Sequence, residues 1–474
     1  MAAAGLGGYV SRMSHAADLF PFDLGDRRLD RRAARLVQAA LDNPGASIPA
    51  AAGSPAAAGA AYRFLDNPAV RPEDLDEAHR RYALGLLAGT DGPVLLAQDT
   101  TPLDFTSPAR NHDLGQLAHA RHFGLFAHSA LAMTEGGLPL GLLHQHVWAR
   151  PPEQRGQRKQ RRHKETADKE SQRWLDTEAA CAAALPPGRT VVTVGDREAD
   201  FYDYFAAPRR PGQHALVRAK PRRRLAGTKE LLGAAVRGGP VRGTLTVEVP
   251  RKDGRPGRRA ALELRHGTFA LRPPSTHPRR KELPPLPLPL QAVLAEEADP
   301  PAGAEPVRWL LLTTLPVAGA ADAARLVRWY TYRWRVERYH FVLKSGCKLE
   351  ELQLETGARL RRALALYGIV AARLLHLTYL ARQGPGVPCE PAVSREEWEL
   401  LWRHFRPGQA PPAAAPPLRE ALHWVARLGG FLGRKGDGEP GVKVLWRGLR
   451  KLHDMVVGAR LARAAAQGVQ SSDE

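Results

Sequence analysis

The spacing of apolar positions changes several times along the chain, and each change predicts a different kind of element. Over residues 14–80 apolar positions recur at helical intervals. Residues 26–41 pair an apolar side with a dense arginine face, and Asn43-Pro44-Gly45 ends that helix. Ser54 and Pro55 open an alanine-rich second helix, as N-cap and first-turn residue. A short apolar run at 94–97 then predicts a strand that delivers Asp99 at or near its end. The runs 126–133 and 140–148, separated by the turn residues Glu135-Gly136-Gly137, predict a β-hairpin. Residues 166–184 read as helix, and the β-branched run 190–194 as a strand leading to Asp196. Short alternating strands separated by Gly, Pro and basic clusters fill 205–305, and 309–314 resumes a buried strand. Helical periodicity from 320 runs into residues 330–344, predicted as one amphipathic helix stopping at Gly346. The remainder is helical: an amphipathic, leucine-rich stretch at 359–382, a capping box at Ser394 and Glu397, a proline-alanine linker at 407–417, and helix around 445–452. The last few residues read as disordered.

Strand, hairpin, helix and strand in that order, with an acid at the end of the first and last strands, predict an α/β fold with an RNase H-like core. The expected domains are an N-terminal helical unit at 14–80, a core at 90–205 and 306–382, a β-rich insertion at 206–305, and a C-terminal helical region at 383–470. The proline-rich stretch 284–289 reads as a rigid connector.

Charge narrows the partner. The 474 residues carry a formal net charge of +20, with a pI near 10.3, an excess that favours a polyanion. Two runs concentrate it, at 155–164 and at 218–224 (R-A-K-P-R-R-R), and neither is expected to pack into a core. No apolar run was expected to reach the ~18 residues of a membrane span, and the N-terminus lacks the pattern of a signal peptide. Cys181, Cys347 and Cys389 are scattered and odd in number, so neither a disulfide framework nor a zinc site is expected. A reducing cytoplasm and a nucleic-acid partner follow.

The candidate chemistry centres on residues 330–344. At ~100° per residue, Tyr330, Arg333, Glu337 and Lys344 fall within about 60° of one another. Two readings stand at this point. The stripe is either a solvated face with an Arg333–Glu337 ion pair, or a metal-binding acid flanked by groups that grip phosphate. Asp99 and Asp196, each at a strand end, supply the further carboxylates that paired divalent ions require.

These residues together resemble the insertion-sequence-four (Tn-five-like) family of bacterial cut-and-paste DDE transposases. Its Y-x2-R-x3-E-x6-K signature is met by Tyr330, Arg333, Glu337 and Lys344. The first acid matches in Gln98-Asp99-Thr100-Thr101, and the second in Gly195-Asp196-Arg197-Glu198-Ala199-Asp200. Further matches are Leu24-Gly25-Asp26-Arg27-Arg28, Tyr62-Arg63, Gly141-Leu142-Leu143-His144-Gln145 and Leu445-Trp446. The resemblance implies that Asp99, Asp196 and Glu337 hold two Mg²⁺ ions, with Mn²⁺ able to substitute. It implies phosphate contacts by Tyr330, Arg333 and Lys344, and a hairpin intermediate with a displaced base received by Trp309. Trp334 matches a second aromatic beside the site, and Arg218 a DNA-contacting arginine. The implied partners are double-stranded DNA (terminal inverted repeats and target) and a second copy of the chain, with no membrane and a cytoplasmic, nucleoid-associated location. The sequence departs from relatives at Arg338-Tyr339-His340-Phe341, which bears on flanking DNA contacts. A catalytically decayed, DNA-binding repressor is the alternative, and a stand-alone RNase H-like nuclease would leave Trp309 and both helical ends without a role.

Overall fold

The computed structural model describes residues 16–106, 113–117, 121–151, 164–249, 257–275, 277–279, 283, 289–390, 392–434 and 436–470. The basic run at 155–164 (apart from Lys164), most of the proline connector and the last four residues lie outside them. The strands are β1 (Val94–Asp104), β2 (Gly115–Gln116), β3 (Phe123–Met133), β4 (Pro139–Trp148), β5 (Val191–Gly195), β6 (Gln213–Arg218), β7 (Gly243–Val249), β8 (Arg258–Phe269), β9 (Leu290–Glu297) and β10 (Arg308–Thr313). All join one sheet in the order β2-β3-β1-β5-β6-β10-β9-β8-β7, with β4 also paired to β3. The β4-β3-β1 meander is antiparallel, while β1, β5 and β6 run parallel. That mixed arrangement is an RNase H-like core.

Two expectations about strands change. The first strand is 11 residues long, not the short run at 94–97, so Asp99 lies inside it. Pairing with β3 continues as far as Asp104 opposite Gly124. The polar positions Gln98 and Thr100 bond His128 at 3.0 and 2.8 Å, which gives Gln98 Oε1 and the Thr100 hydroxyl partners within the ladder. The second change concerns 206–305: β6 falls in that stretch yet pairs with β5, and β7, β8 and β9 extend the same sheet through β10.

Side-chain alternation splits the sheet into two faces. His128 and Trp174, from β3 and the helix Gln172–Ala184, touch at 4.7 Å between ring centroids on one face. A second core continues there through Tyr204, Val217, Leu294 and Leu312. The other face carries Asp99 and Ser129 and is covered by the helix Trp334–Phe341 and the long helix Gly357–Gln383. The long helix was expected to be amphipathic. It is buried on nearly every side, because N-terminal helices, β4 and C-terminal helices all pack around it. It is also long and apolar enough to cross a membrane, contrary to the sequence expectation, but most of it is buried within the protein.

The N-terminal helices are tied to this centre. Arg362 donates to Val70 O and Leu65 O at 2.6 and 3.1 Å, and Arg373 to the Tyr82 hydroxyl at 2.7 Å. In the helix Arg27–Asp42, Ala33, Val37 and Ala40 face inward while Arg27, Arg28, Arg31 and Arg35 are exposed. At the other end, helices Leu418–Leu428 and Val442–Gln470 cross with their backbones almost touching. A Cβ on Gly448 would lie 1.7 Å from Val425 O, and one on Gly429 would lie 1.9 Å from Val444 O. Only glycine fits at either crossing point. The expected capping box forms, with Glu397 Oε2 accepting from Ser394 N at 2.7 Å.

Candidate active site

Strand register brings the two aspartates together. The parallel β1–β5 pairing ends at Ala97 opposite Val194, and Asp99 and Asp196 each lie two residues beyond that pair. Asp196 follows β5 directly, and its Oδ1 accepts from Glu198 N at 2.8 Å, which folds the loop behind it. Farther along that loop Asp200 is buried. It accepts from Lys220 N at 2.6 Å and pairs with Arg223 at 2.8 Å. This corrects the expectation that the run at 218–224 stays out of the interior: part of it pins the loop that carries Asp196, since a buried carboxylate needs a cation beside it.

The third acid arrives on a helix that is less regular than predicted. Residues 330–344 are not one uninterrupted helix. The helix Ala320–Tyr332 and the helix Trp334–Phe341 meet at Arg333, where the ladder tightens to a bond from Arg333 N to Tyr330 O at 3.1 Å. A wide turn, Val342–Gly346, follows and closes with Cys347 N on Val342 O at 2.8 Å. Gly346 ends that turn and is not the expected cap. Its glycine admits the Trp446 ring, 2.8 Å from where a Cβ would stand. The left-handed residue there is Lys348.

Within this segment Arg333 Nη2 donates to Glu337 Oε1 at 2.6 Å, so the predicted ion pair exists. It is not a solvated one, because the Arg333 side chain is only 6% exposed. Burial works against that charge, but Tyr330, Glu337 and Asp99 more than offset it, so Arg333 holds its proton more firmly than usual. The Asp99 carboxyl is pushed up to about 7: burial raises it most, Arg333 opposes, and the charges of Glu337 and Asp196 raise it further. These influences on Asp99 put all three acids within one electrostatic neighbourhood.

Tyr330 connects the acids to the remaining candidates. Its phenol is raised by burial and feels Arg333, Arg218 and Asp196. Its ring meets Trp309 edge-on at 6.0 Å. Arg218 follows Val217, the register partner of Gly195, and reaches Arg308 O at 3.2 Å. The buried Nε atoms of Arg218 and Arg333 have no hydrogen-bond partner. Trp334 stands outside this group, 53% exposed, its ring 5.1 Å from the Arg333 guanidinium. Lys344 is held farther along by Glu350 at 3.4 Å.

The sequence reading missed the floor of the site. Tyr339 and His340 are buried, not turned toward flanking DNA. His340 Nδ1 lies 3.9 Å from Asp99 Oδ2, and burial lowers the imidazole to about 3, so it is neutral. Only their periodicity could have signalled this, since both fall on the inward side of the helix.

Three hard-oxygen donors, two of which raise the cost of ionising Asp99, suit a divalent cation. Among the described residues no three acidic, His or Cys side chains are gathered tightly enough to ligate one ion, and Glu337 is turned to Arg333. The donor chemistry nevertheless fits, and the Arg333 and Arg218 guanidiniums beside it supply the positive charge that phosphate oxygens need.

An RNase H-like core with acids on β1, just after β5 and on a helix laid over the sheet defines a class of metal-dependent enzymes acting on nucleic-acid backbones. Three family models match the chain in order: Transposase DNA-binding at residues 15–70, Transposase DDE domain at 150–374 and Transposase Tn5 dimerisation domain at 369–468. The chain belongs to the DDE transposases, and DNA and a second copy of itself are its partners. Such domains typically use divalent metal ions. The DDE match includes Asp196, Glu337 and every candidate DNA contact, and it starts after Asp99.

Proposed function

We propose that this transposase binds the inverted terminal repeats of its own element, cuts them by cut-and-paste chemistry through a hairpin, and joins them to target DNA. The observation that carries this is the coupling of Asp99 to both Asp196 and Glu337 beside the Trp309–Tyr330 pair. Asp99, Asp196 and Glu337 would hold two Mg²⁺ ions (Mn²⁺ substituting), which when bound activate the attacking oxygen and steady the leaving oxygen. The protein's own groups do the rest. Arg333 and Arg218 offer positive charge to the scissile strand, Tyr330 offers a hydroxyl and Lys344 a further charge. Trp309 gives a displaced base a ring to rest on while the strand bends. The arginine face of residues 27–35 supplies contacts to the duplex backbone. A terminal-repeat pair is two-fold, and so is a homodimer that aligns both ends. A protein acting on a bacterial element works at the nucleoid, in the cytoplasm.

The test is incubation of the full chain with Mg²⁺ and end-bearing DNA, with hairpinned ends resolved on a denaturing gel. Hairpins from the parent and none from Glu337→Gln support the reading; equal cutting by Glu337→Gln overturns the site.

A further inference from the structure

Ser129 stands directly opposite Asp99 in the β1–β3 ladder, and Gln145 opposite Ser129 in the β3–β4 ladder. Register therefore sets these three side chains in one row across the sheet face under the signature helix. Two residues of that helix, just past Glu337, come down on the row. The Tyr339 hydroxyl donates to Gln145 Oε1 at 3.1 Å, Ser129 Oγ donates to the same oxygen at 3.1 Å, and His340 Nε2 lies 3.2 Å from Ser129 Oγ. The other imidazole nitrogen is the one 3.9 Å from Asp99 Oδ2. All four side chains are buried. The long helix even leaves room for the network, since a Cβ on Gly368 would come within 3.0 Å of the Tyr339 hydroxyl.

A buried polar cluster is costly unless it is satisfied, and apolar side chains would hold a helix on a sheet at least as firmly. What they would not do is fix its rotation and height, because apolar contact is non-directional while hydrogen bonds weaken steeply when misaligned. Asp99 belongs to the row and Glu337 sits one turn ahead of His340 on the helix. The network therefore determines how the two acids face each other.

We propose that His340, together with Ser129, Gln145 and Tyr339, is a positioning brace that locks the signature helix against β1 so that Asp99 and Glu337 can share a metal ion. The inference rests on the reading of those acids as metal ligands. His340 is a positioning residue, acting through Asp99 and through the helix that carries Glu337.

The experiment compares full-length His340→Gln, His340→Asn and Ser129→Ala with the parent. A glutamine amide reaches the place of Nε2 and preserves the bond to Ser129, whereas asparagine ends near Nδ1 and loses it. Mn²⁺ affinity is measured without DNA by electron paramagnetic resonance titration, alongside thermal melting and the Mn²⁺ dependence of nicking. His340→Asn and Ser129→Ala are expected to bind Mn²⁺ roughly 10- to 100-fold more weakly, with nicking largely restored at high Mn²⁺. His340→Gln is expected to stay close to the parent. Parent-like Mn²⁺ affinity in the asparagine and alanine variants sinks the brace, as does an equal loss of affinity and melting temperature in all three. Asp99→Ala is the control: if it binds Mn²⁺ and cuts like the parent, the underlying site reading fails, and if it is dead while the brace variants are unaffected, only the brace does.

Discussion

Arg333 grips Glu337 across a single helical turn, Nη2 to Oε1 at 2.6 Å, and its guanidinium also lowers the cost of ionising Asp99. One buried cation thus serves two of the three acids. Replacing Arg333 by alanine is expected to reduce end cutting by roughly 10²-fold, the scale seen when a donor at a charge-developing centre is lost. It should also move the acidic limb of the cleavage pH profile upward, because Asp99 then ionises with less help. A profile that keeps its acidic limb would show that Arg333 does not act on Asp99.

Asp99 itself is a stability burden. Its folded-state value of about 7 exceeds the ordinary 3.8, so between these values the folded protein holds a proton that the unfolded chain releases. Stability falls as pH rises through that window and stays reduced above it. Asp99→Asn, melted in a metal-chelating buffer, should therefore be more stable than the parent. The advantage should be absent below about pH 4, grow up to about pH 7 and level off at a few kcal/mol at most. A lower melting temperature for the variant at pH 8 would contradict the buried-acid account.

Trp309 meets Tyr330 edge-on at 6.0 Å while remaining only partly buried, and its proposed role for a displaced base can be tested by removing the ring. Trp309→Ala should leave the first nick near parent rates but cut hairpin yield by about tenfold or more, since base–aromatic stacking is worth roughly 1–3 kcal/mol. Equal losses in nicking and hairpin formation would assign the ring to packing instead.

Gly448 is wedged against Val425 O where the last two helices cross. Alanine there must push the helices apart, costing about 1–3 kcal/mol. Gly448→Ala should lower the melting temperature and weaken self-association in sedimentation, whereas Gly458→Ala, with open space around it, should do neither.

The exposed arginines of the first long helix offer a salt-based test. Arg31→Ala should weaken binding to end DNA and reduce the magnitude of the slope of log K against log salt by roughly one. An unchanged slope would take Arg31 off the phosphate backbone.

Much of this was legible in residue order. The Ser54 cap, the Ser394–Glu397 capping box, the β3–β4 hairpin and the β5 strand leading to Asp196 all rest on local chemistry, and each forms as its sequence predicts. The sequence places Asp99 at or near the end of a short strand because its apolar run stops at Ala97. Only β3, paired along Thr100 to Asp104, makes those residues strand. The stretch 359–382 reads as amphipathic and leucine-rich in the sequence, yet the helix is buried on nearly every side. Arg362 and Arg373 instead reach main-chain and hydroxyl oxygens of the N-terminal helices, which no local pattern reveals.

The sequence by itself determined which groups this protein possesses: three carboxylates, a Tyr-Arg-Glu-Lys helix and the aromatic rings near it, in a fixed order. Periodicity and capping are short-range, so they settle helices and strands but not what lies across from what. Only the tertiary structure decided that Asp99, Ser129 and Gln145 form a row, that Arg333 is buried against Glu337, and that His340 closes over Asp99. Those relations come from strand register and from a helix laid across three strands. Apart from the local Arg333–Glu337 pair, they join residues from 16 positions apart (Ser129 and Gln145) to 241 apart (Asp99 and His340), so they exist only once the sheet and its covering helices have packed.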